Sequence, residues 1–304
     1  MVDTITEGNE GTFRAGYAAI VGAPNAGKST LMNSLLGQKL SIVSSKPQTT
    51  RHRIIGILSD KNFQIVFLDT PGLLEPKYAL HSAMMGAADR AIRDADVVLF
   101  IVDGSDTDEK ELAPAFERLR NLSKPVILAL NKIDLMNAAS VKSRTETLSA
   151  KYAFRSVTSI SALKGENTPS LIHAIATDLP EHPPYYPPDA LTEHPEKFFV
   201  SEIIREKVFE QYRQEIPYST SVDILEFTEE KGKKDIIRAE IYVERDSQKG
   251  IMIGKKGLAL KALGENARKD IETFLGRRVY LELYVKVRDQ WRNKDEWLKR
   301  LGYE

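Results

Sequence analysis

Residues 22–29 read GAPNAGKS, and they lie between an apolar run and a segment of helical periodicity. The spacing matches G-x-x-x-x-G-K-[ST], a loop whose backbone N–H groups surround phosphate at the start of a helix. Lys28 supplies a mobile cation to the β- and γ-phosphates, and Ser29 offers its hydroxyl to Mg²⁺. This stretch predicts an α/β nucleotide-binding domain.

Residues 17–178 alternate apolar runs with segments of helical periodicity. Runs such as VVLFIV are typical of strands buried on both faces, so we expect a mostly parallel sheet with helices on both faces. The predicted strands are Tyr17–Val21, Ile54–Leu58, Phe63–Leu68, Val97–Val102, Val126–Leu130 and Ser156–Ser159. The predicted helices are Lys28–Leu36, Leu80–Arg93, Glu109–Asn121, Ala139–Lys151 and Thr168–Thr177.

Two further motifs follow predicted strands, DTPG at 69–72 and NKID at 131–134. The carboxyl ends of parallel strands meet at the crevice where ligands bind. Asp69 can hold Mg²⁺ through water, and Gly72 can bring its N–H to the γ-phosphate. The Asp134 carboxylate can accept hydrogen bonds from N1–H and the exocyclic amine of guanine. Adenine lacks this donor pair, so the site predicts a guanine nucleotide, GTP or GDP.

Asn131 and Lys132 are expected to brace the base-binding loop and stack on the ring, and the SISA segment at 159–162 to add a backbone N–H for guanine O6. The polar segment Ser41–Arg53, here termed the switch loop, offers Thr49 and Thr50. One of these threonines should reach Mg²⁺ only when the γ-phosphate is present. The candidate GTP-binding residues are Gly22, Ala23, Pro24, Asn25, Ala26, Gly27, Lys28, Ser29, Thr30, Asp69, Thr70, Pro71, Gly72, Leu73, Asn131, Lys132, Ile133, Asp134, Ser161 and Ala162.

Residues 179–195 contain six prolines, which predict a semi-rigid extended linker. The following residues, 196–304, predict a smaller α+β domain with elements in the order α-β-β-α-β-α. Its expected elements are a helix at Glu202–Tyr212, strands at Ser221–Phe227 and Ile236–Val243, a helix at Leu258–Phe274, a strand at Val279–Val287 and a helix from Gln290 onward.

The second domain carries a G-x-x-G loop, GKKG at 254–257, which we expect between a strand and a helix. Two glycines permit a close approach to a nucleic-acid backbone, and the lysines meet its phosphates, as in KH domains. Residues 249–300 contain 14 basic and 7 acidic side chains, so this segment is +7 on a chain of zero net charge. The candidate RNA-binding residues are Ile253, Gly254, Lys255, Lys256, Gly257 and Lys261.

Composition narrows the remaining classes. The absence of cysteine excludes thiol catalysis, disulfides, Cys-based zinc sites and iron–sulfur clusters. No secretory signal or membrane-spanning run is visible, so we expect a soluble, cytoplasmic protein whose residues 1–16 form a tail.

The motifs GAPNAGKST, PQTTRHR, DTPGL, NKID, SISA and IGKKG together resemble the Era family of bacterial GTPases over essentially the whole chain. The resemblance implies a GTPase domain followed by a type II KH domain. It also implies binding near the 3′ end of 16S ribosomal RNA, a role in 30S subunit maturation, and loose association with the cytoplasmic face of the membrane. We expect a monomer.

The resemblance also assigns roles within the site. Thr50 rather than Thr49 is the expected Mg²⁺ ligand because the ligand directly precedes an arginine in similar GTPases, so the expected catalytic residues are Lys28, Thr50 and Gly72 and the Mg²⁺ ligands Ser29, Thr50 and Asp69. Leu73 stands where Ras-like proteins carry a water-orienting glutamine, so hydrolysis should be slow. Asn25 is either a residue that holds K⁺ beside the phosphates or one that shapes the turn.

The alternative function is that of a nucleotide-gated adaptor at the membrane surface or in cell-cycle control, whose KH-like domain contacts protein. The basic GKKG loop favours RNA.

Overall fold

The computed structural model describes residues 12–44, 46–106, 108, 112–120, 122–229 and 232–303. In these residues six strands form one sheet. They are β1 (Arg14–Val21), β2 (Ile54–Ser59), β3 (Phe63–Asp69), β4 (Val97–Asp103), β5 (Val126–Asn131) and β6 (Ser156–Ser159). Their order is β2-β3-β1-β4-β5-β6, and every pairing is parallel except β2 with β3. The prediction of a mostly parallel sheet is confirmed.

Within its described residues this domain has the helices α1 (Lys28–Leu36), α2 (Ala79–Asp94), α3 (Ala113–Leu119), α4 (Ala138–Ser149) and α5 (Thr168–Asp178). The two faces of the sheet contribute to two separate apolar clusters, because successive strand side chains point to opposite sides. Helix α3 is shorter than the prediction Glu109–Asn121, of which residues 109–111 and 121 lie outside the described residues.

The proline-rich segment 179–195 runs along the sheet rather than away from it. The carbonyls of Pro180 and Leu191 accept hydrogen bonds from Ala15 in β1 and Ile57 in β2, at 3.2 and 2.8 Å. The Gln64 side chain of β3 accepts from the N–H groups of two successive tyrosines, at 2.7 and 3.0 Å. Of these strands only β2 is at the edge of the sheet, where open backbone groups need such a partner. We call this segment the strap, because it runs across three strands and covers part of the β2 edge.

The second domain contains α6 (Glu196–Gln211), α7 (Ile216–Ser219), β7 (Ser221–Thr228), β8 (Asp235–Val243), α8 (Asp246–Ile253), α9 (Leu258–Leu275), β9 (Val279–Val287) and α10 (Asp295–Arg300). The strands form a three-stranded sheet in the order β7-β8-β9, in which β8 pairs antiparallel with β7 and parallel with β9. An apolar cluster lies between this sheet and helices α6, α8 and α9. This is a smaller α+β domain, as expected.

The structure differs from the sequence predictions for this domain at several points. The G-x-x-G loop lies between two helices, α8 and α9, and not between a strand and a helix. Helix α8 was missed because Gly250 and its polar first turn lower helix propensity, whereas Gln248 supports the turn by accepting from the N–H groups of Glu244 and Arg245. Helix α6 begins at Glu196 instead of Glu202, and the last helix begins at Asp295 after a 3₁₀ turn at Trp291–Asn293.

The two domains pack closely on each other. Trp291, Leu298 and Tyr303 from the C-terminal segment are buried in the same apolar cluster as Leu80 and Met84 of α2. On the other face of the first sheet, Phe199 of α6 joins the second cluster. Apolar burial of this kind fixes the relative position of the domains. Among the described residues, no helix is both long and apolar enough to cross a membrane.

Candidate nucleotide site and nucleic-acid interface

The phosphate-binding loop leaves β1 and enters α1, whose first residue is Lys28. The loop places Asn25 and Gly27 at positive φ, 60° and 99°. Lys28 is only 6% exposed, and its ammonium donates to the carbonyls of Gly22 and Ala23 at 3.2 and 2.8 Å. Burial lowers the pKa of Lys28 to about 8, an effect that Asp69 partly offsets. The ammonium group of Lys28 thus lies inside the loop in which the phosphates would bind.

Three oxygen-bearing side chains converge beside this loop. Ser29 Oγ donates to Asp69 Oδ2 at 2.9 Å and lies 2.9 Å from Thr50 Oγ1. Burial raises the pKa of Asp69, against the opposing effect of Lys28. Its second oxygen, Oδ1, is buried without a hydrogen-bond partner. An unpartnered buried carboxylate oxygen among hydroxyls fits a hard divalent cation such as Mg²⁺.

The DTPG segment lies directly against the phosphate loop. A Cβ added to Gly72 would come within 2.9 Å of the Pro24 backbone, which explains the absence of a side chain there. Thr70 has a structural contact, because its hydroxyl donates to the Ile20 carbonyl at 2.8 Å. Leu73 is 2% exposed and lies in the apolar cluster, so its side chain packs in the core.

The base-binding end is organised by Asn131. Its amide donates to the Ala26 carbonyl in the phosphate loop at 2.9 Å and accepts from the Ala162 N–H at 2.9 Å. Lys132 forms an ion pair with Asp103 at 2.5 Å. Asp134 lies in a 3₁₀ turn at Ile133–Leu135 and is partly exposed. Asn131 therefore connects the phosphate loop to the SISA segment, whereas its expected stacking on a base, together with Lys132, stays a prediction.

The backbone donors near the base are mostly engaged. The N–H of Ser161 donates to Glu166, and that of Ala162 donates to Asn131. The next residue, Leu163, has an exposed side chain.

The G-x-x-G loop turns sharply between α8 and α9. Gly254 adopts φ 71° and ψ 177°, a region that is essentially restricted to glycine, and an added Cβ would lie 2.6 Å from that of Ala259. Lys255 and Lys256 are exposed beside it. Lys261 lies on the next turn of α9, 3.9 Å from Glu265.

A groove of about 390 Å³ adjoins this loop. Its walls come from α9 and from β9, which is an edge strand. Leu260, Gly264, Arg268 and Leu281–Leu283 line it, and the sequence did not single them out. Only the spatial pairing of helix with strand forms the groove.

The sequence profile of the 50S ribosome-binding GTPase family matches residues 17–132, and that of the KH domain matches residues 215–292. GTPase Era from Alkaliphilus oremlandii (strain OhILAs) is 44% identical over 294 residues, which are 96% of this chain and 100% of that protein. The chain belongs to the GTPase Era family. Another member, chloroplastic GTPase ERA1 of Zea mays, is 46% identical over 95% of this chain and 70% of that protein.

Solved structures of Era proteins have the same two-domain fold. Era in complex with MgGDPNP and nucleotides 1506–1542 of 16S ribosomal RNA has a TM-score of 0.91 at 41% identity, covering 96% of this chain and 99% of that one. A single-substitution variant of Aquifex aeolicus Era bound to GDP.AlF4⁻ has a TM-score of 0.89 at 41% identity, with the same coverage. The Era family resemblance and the fold class expected from the sequence are confirmed.

Proposed function

We propose that this protein is a GTP-binding and slowly hydrolysing switch that binds the 3′ region of 16S ribosomal RNA and acts in assembly of the 30S subunit. The carrying observation is the full-length likeness to an Era structure that holds both MgGDPNP and nucleotides 1506–1542. In this proposal residues 17–178 hold the nucleotide and residues 196–304 bind RNA.

Each end of the nucleotide has a proposed set of partners. Lys28 binds the β- and γ-phosphates, the Gly72 N–H binds the γ-phosphate, and Asp134 binds guanine. Ser29, Thr50 and Asp69 would hold Mg²⁺, which neutralises phosphate charge. The convergence of their oxygens within 2.9 Å contacts supports this assignment.

Slow hydrolysis follows from the position of Leu73. A buried aliphatic side chain neither donates to nor accepts from an attacking water, so this residue supplies no water-orienting group. A bound K⁺ beside Asn25 would add positive charge there. The φ of 60° at Asn25 also suits the turn role, because asparagine tolerates left-handed backbone. Comparing hydrolysis in K⁺ and Na⁺ at equal ionic strength separates the two roles.

RNA binding is proposed at the G-x-x-G loop and the start of α9, through Ile253, Gly254, Lys255, Lys256, Gly257 and Lys261. Of these residues, Gly257 and Lys261 line the groove between α9 and β9. Exposed lysines beside a glycine turn suit an RNA backbone. Peripheral membrane association is a further, separable proposal that comes from the family resemblance alone.

Co-sedimentation of the GTP-loaded protein with purified 30S subunits tests the proposal, with anionic lipid vesicles run in parallel. We expect saturable binding to 30S subunits and competition by a 16S 3′-end oligonucleotide. Binding to vesicles but not to subunits would contradict the RNA function and support the adaptor alternative.

A further inference from the structure

The switch loop, Ser41–Arg53, makes hydrogen bonds to both domains in the part of the chain that the structure describes, which omits residue 45. The Val43 N–H donates to Glu206 at 3.1 Å. Lys46 donates to the carbonyls of Phe209 and Tyr212, at the C-terminal end of α6. Cations at a helix C-terminus complete its unpaired carbonyls. The position of the switch loop therefore depends on α6 as well as on the loop's own domain.

Arg51 makes an equivalent contact one helix further on. Its guanidinium donates to the carbonyls of Pro217, Tyr218 and Thr220 at 3.0, 3.0 and 2.7 Å, around the end of α7. These contacts bring both ends of the Thr49–Thr50 pair against the second domain.

The contact nearest the cation site comes from a buried ion pair. Arg205 and Glu202 of α6 are 1% and 4% exposed, and two hydrogen bonds of 2.8 and 2.5 Å join them. The pKa of Glu202 is lowered by Arg205 despite the opposing effect of burial, so the pair is ionised. The Nη2 atom of Arg205 then donates to the Thr49 carbonyl at 2.5 Å.

The Thr49 carbonyl belongs to the same planar peptide group as the Thr50 nitrogen. A hydrogen bond to that carbonyl therefore fixes the orientation of the peptide plane before Thr50, whose Oγ1 lies 2.9 Å from Ser29 Oγ. A buried ion pair contributes little net stability compared with apolar packing. Apolar residues could therefore replace its stability, but they could not supply the oriented N–H donor of Arg205.

We propose that Arg205, oriented by Glu202, is a positioning residue for the GTP-bound state: it holds the Thr49–Thr50 peptide so that the Thr50 hydroxyl faces the Ser29 and Asp69 oxygens. The second domain thereby completes the nucleotide site. This inference rests on the proposed GTPase function, since only a γ-phosphate state uses Thr50.

The test compares affinities for GTPγS and GDP in the full-length protein with Mg²⁺, by competition with a fluorescent GDP analogue. The main variant is Glu202→Leu/Arg205→Met, which removes both charges and leaves neither buried alone. We expect about tenfold weaker GTPγS binding, unchanged GDP binding and a comparable fall in kcat. Arg205→Lys keeps the charge but loses the forked donor, so its effect should be intermediate.

Lys207→Met is the matched control. Lys207 lies on α6 two residues after Arg205 and pairs with Glu210 and Asp270 at 2.9 and 2.6 Å, and both of these partners belong to the second domain and are partly exposed to solvent. Its GTPγS-to-GDP ratio should stay at the wild-type value. Equal losses of both affinities in the double variant, or no loss, would overturn the inference, since either result indicates a purely structural pair.

A double-mutant cycle provides a second readout. In a Thr50→Ala background, removal of the ion pair should leave the GTPγS-to-GDP ratio unchanged, because the residue through which Arg205 acts is already lost. Additive effects would contradict the route through Thr50. If Glu202→Leu/Arg205→Met does not fold, Arg205→Lys carries both comparisons. Failure of the wild type to bind GTPγS would instead refute the proposed function.

Discussion

At the scale of single residues, the proposed recognition of guanine involves two residues with different contacts, Asn131 and Asp134. The side-chain amide of Asn131 forms hydrogen bonds with two loops of the protein, whereas Asp134 makes no hydrogen bond among the described residues. A partly exposed carboxylate without an internal partner can accept from both guanine donors. Replacement of Asn131 should therefore disturb the fold of the site, whereas replacement of Asp134 should change its base specificity.

We predict that Asp134→Asn moves the preference from guanine toward xanthine. The amide can donate to the 2-oxo group of xanthine, whereas it loses the charge-assisted contact with guanine, at a cost of about a hundredfold in GTP affinity. Competition by GTP, XTP and ATP against a fluorescent GDP analogue measures the change. A variant that still prefers GTP would contradict the role of Asp134.

At the scale of elements, the conformation of the G-x-x-G loop depends on both helices that flank it, α8 and α9. Gly254 N–H donates to the Gly250 carbonyl at the end of α8, and the Gly257 N–H donates back to the Gly254 carbonyl at 3.1 Å. The turn brings the two lysines to the surface at the start of α9, beside the groove. Its geometry depends on the backbone of Gly254 more than on any side chain.

We predict that Gly254→Asp abolishes detectable binding of a 16S 3′-end oligonucleotide in a filter assay. The new side chain meets Ala259, the φ of 71° with ψ of 177° is unfavourable for aspartate, and the added charge repels phosphate. The strain should cost roughly 1–3 kcal/mol of folding free energy, measurable by urea unfolding.

Gly276→Asn is the control for this prediction. Gly276 follows α9 at a φ of 67° with open space around it, so asparagine should be tolerated there. Full RNA affinity in Gly254→Asp, with helix content verified by circular dichroism, would mean that the loop has a structural role only.

At the scale of the whole molecule, two histidines pack against tyrosine rings near the place where the domains meet. His52 stacks on Tyr303 at 4.4 Å between ring centroids, and His81 packs at a tilt against Tyr78, with the centroids 3.8 Å apart. Burial lowers the pKa of each imidazole to about 4. Their neutral forms are therefore part of the packed arrangement.

We predict that stability decreases as the pH falls from about 6.5 toward 4. In this window the unfolded chain binds protons that the folded chain excludes, so unfolding becomes more favourable on acidification. The loss should be roughly 2 kcal/mol for each histidine between pH 7.5 and 5. Thermal unfolding across this range measures it, and His52→Phe/His81→Phe should show a flatter profile. An unchanged slope in that double variant would assign the acid sensitivity to other groups.

Residue types at fixed spacing were sufficient to predict the nucleotide-binding motifs and the buried strands. The phosphate loop, DTPG and NKID predicted a guanine nucleotide, and strands such as Val97–Asp103 were found because a strand buried on both faces must be apolar along its length. Such patterns are local, so one stretch of chain is enough to recognise them.

The contacts between the two domains could not be predicted from the sequence, because they depend on the tertiary fold. The strap on the sheet edge, the burial of Trp291 against α2 and the bond from Arg205 to Thr49 link residues far apart in sequence. Periodicity does not encode these contacts, because they use backbone carbonyls and single charged side chains whose partners depend on how whole domains pack. Helix α8 belongs with them: its Gly250 opposes helix formation locally, and the packing of Met252 in the second core outweighs that preference.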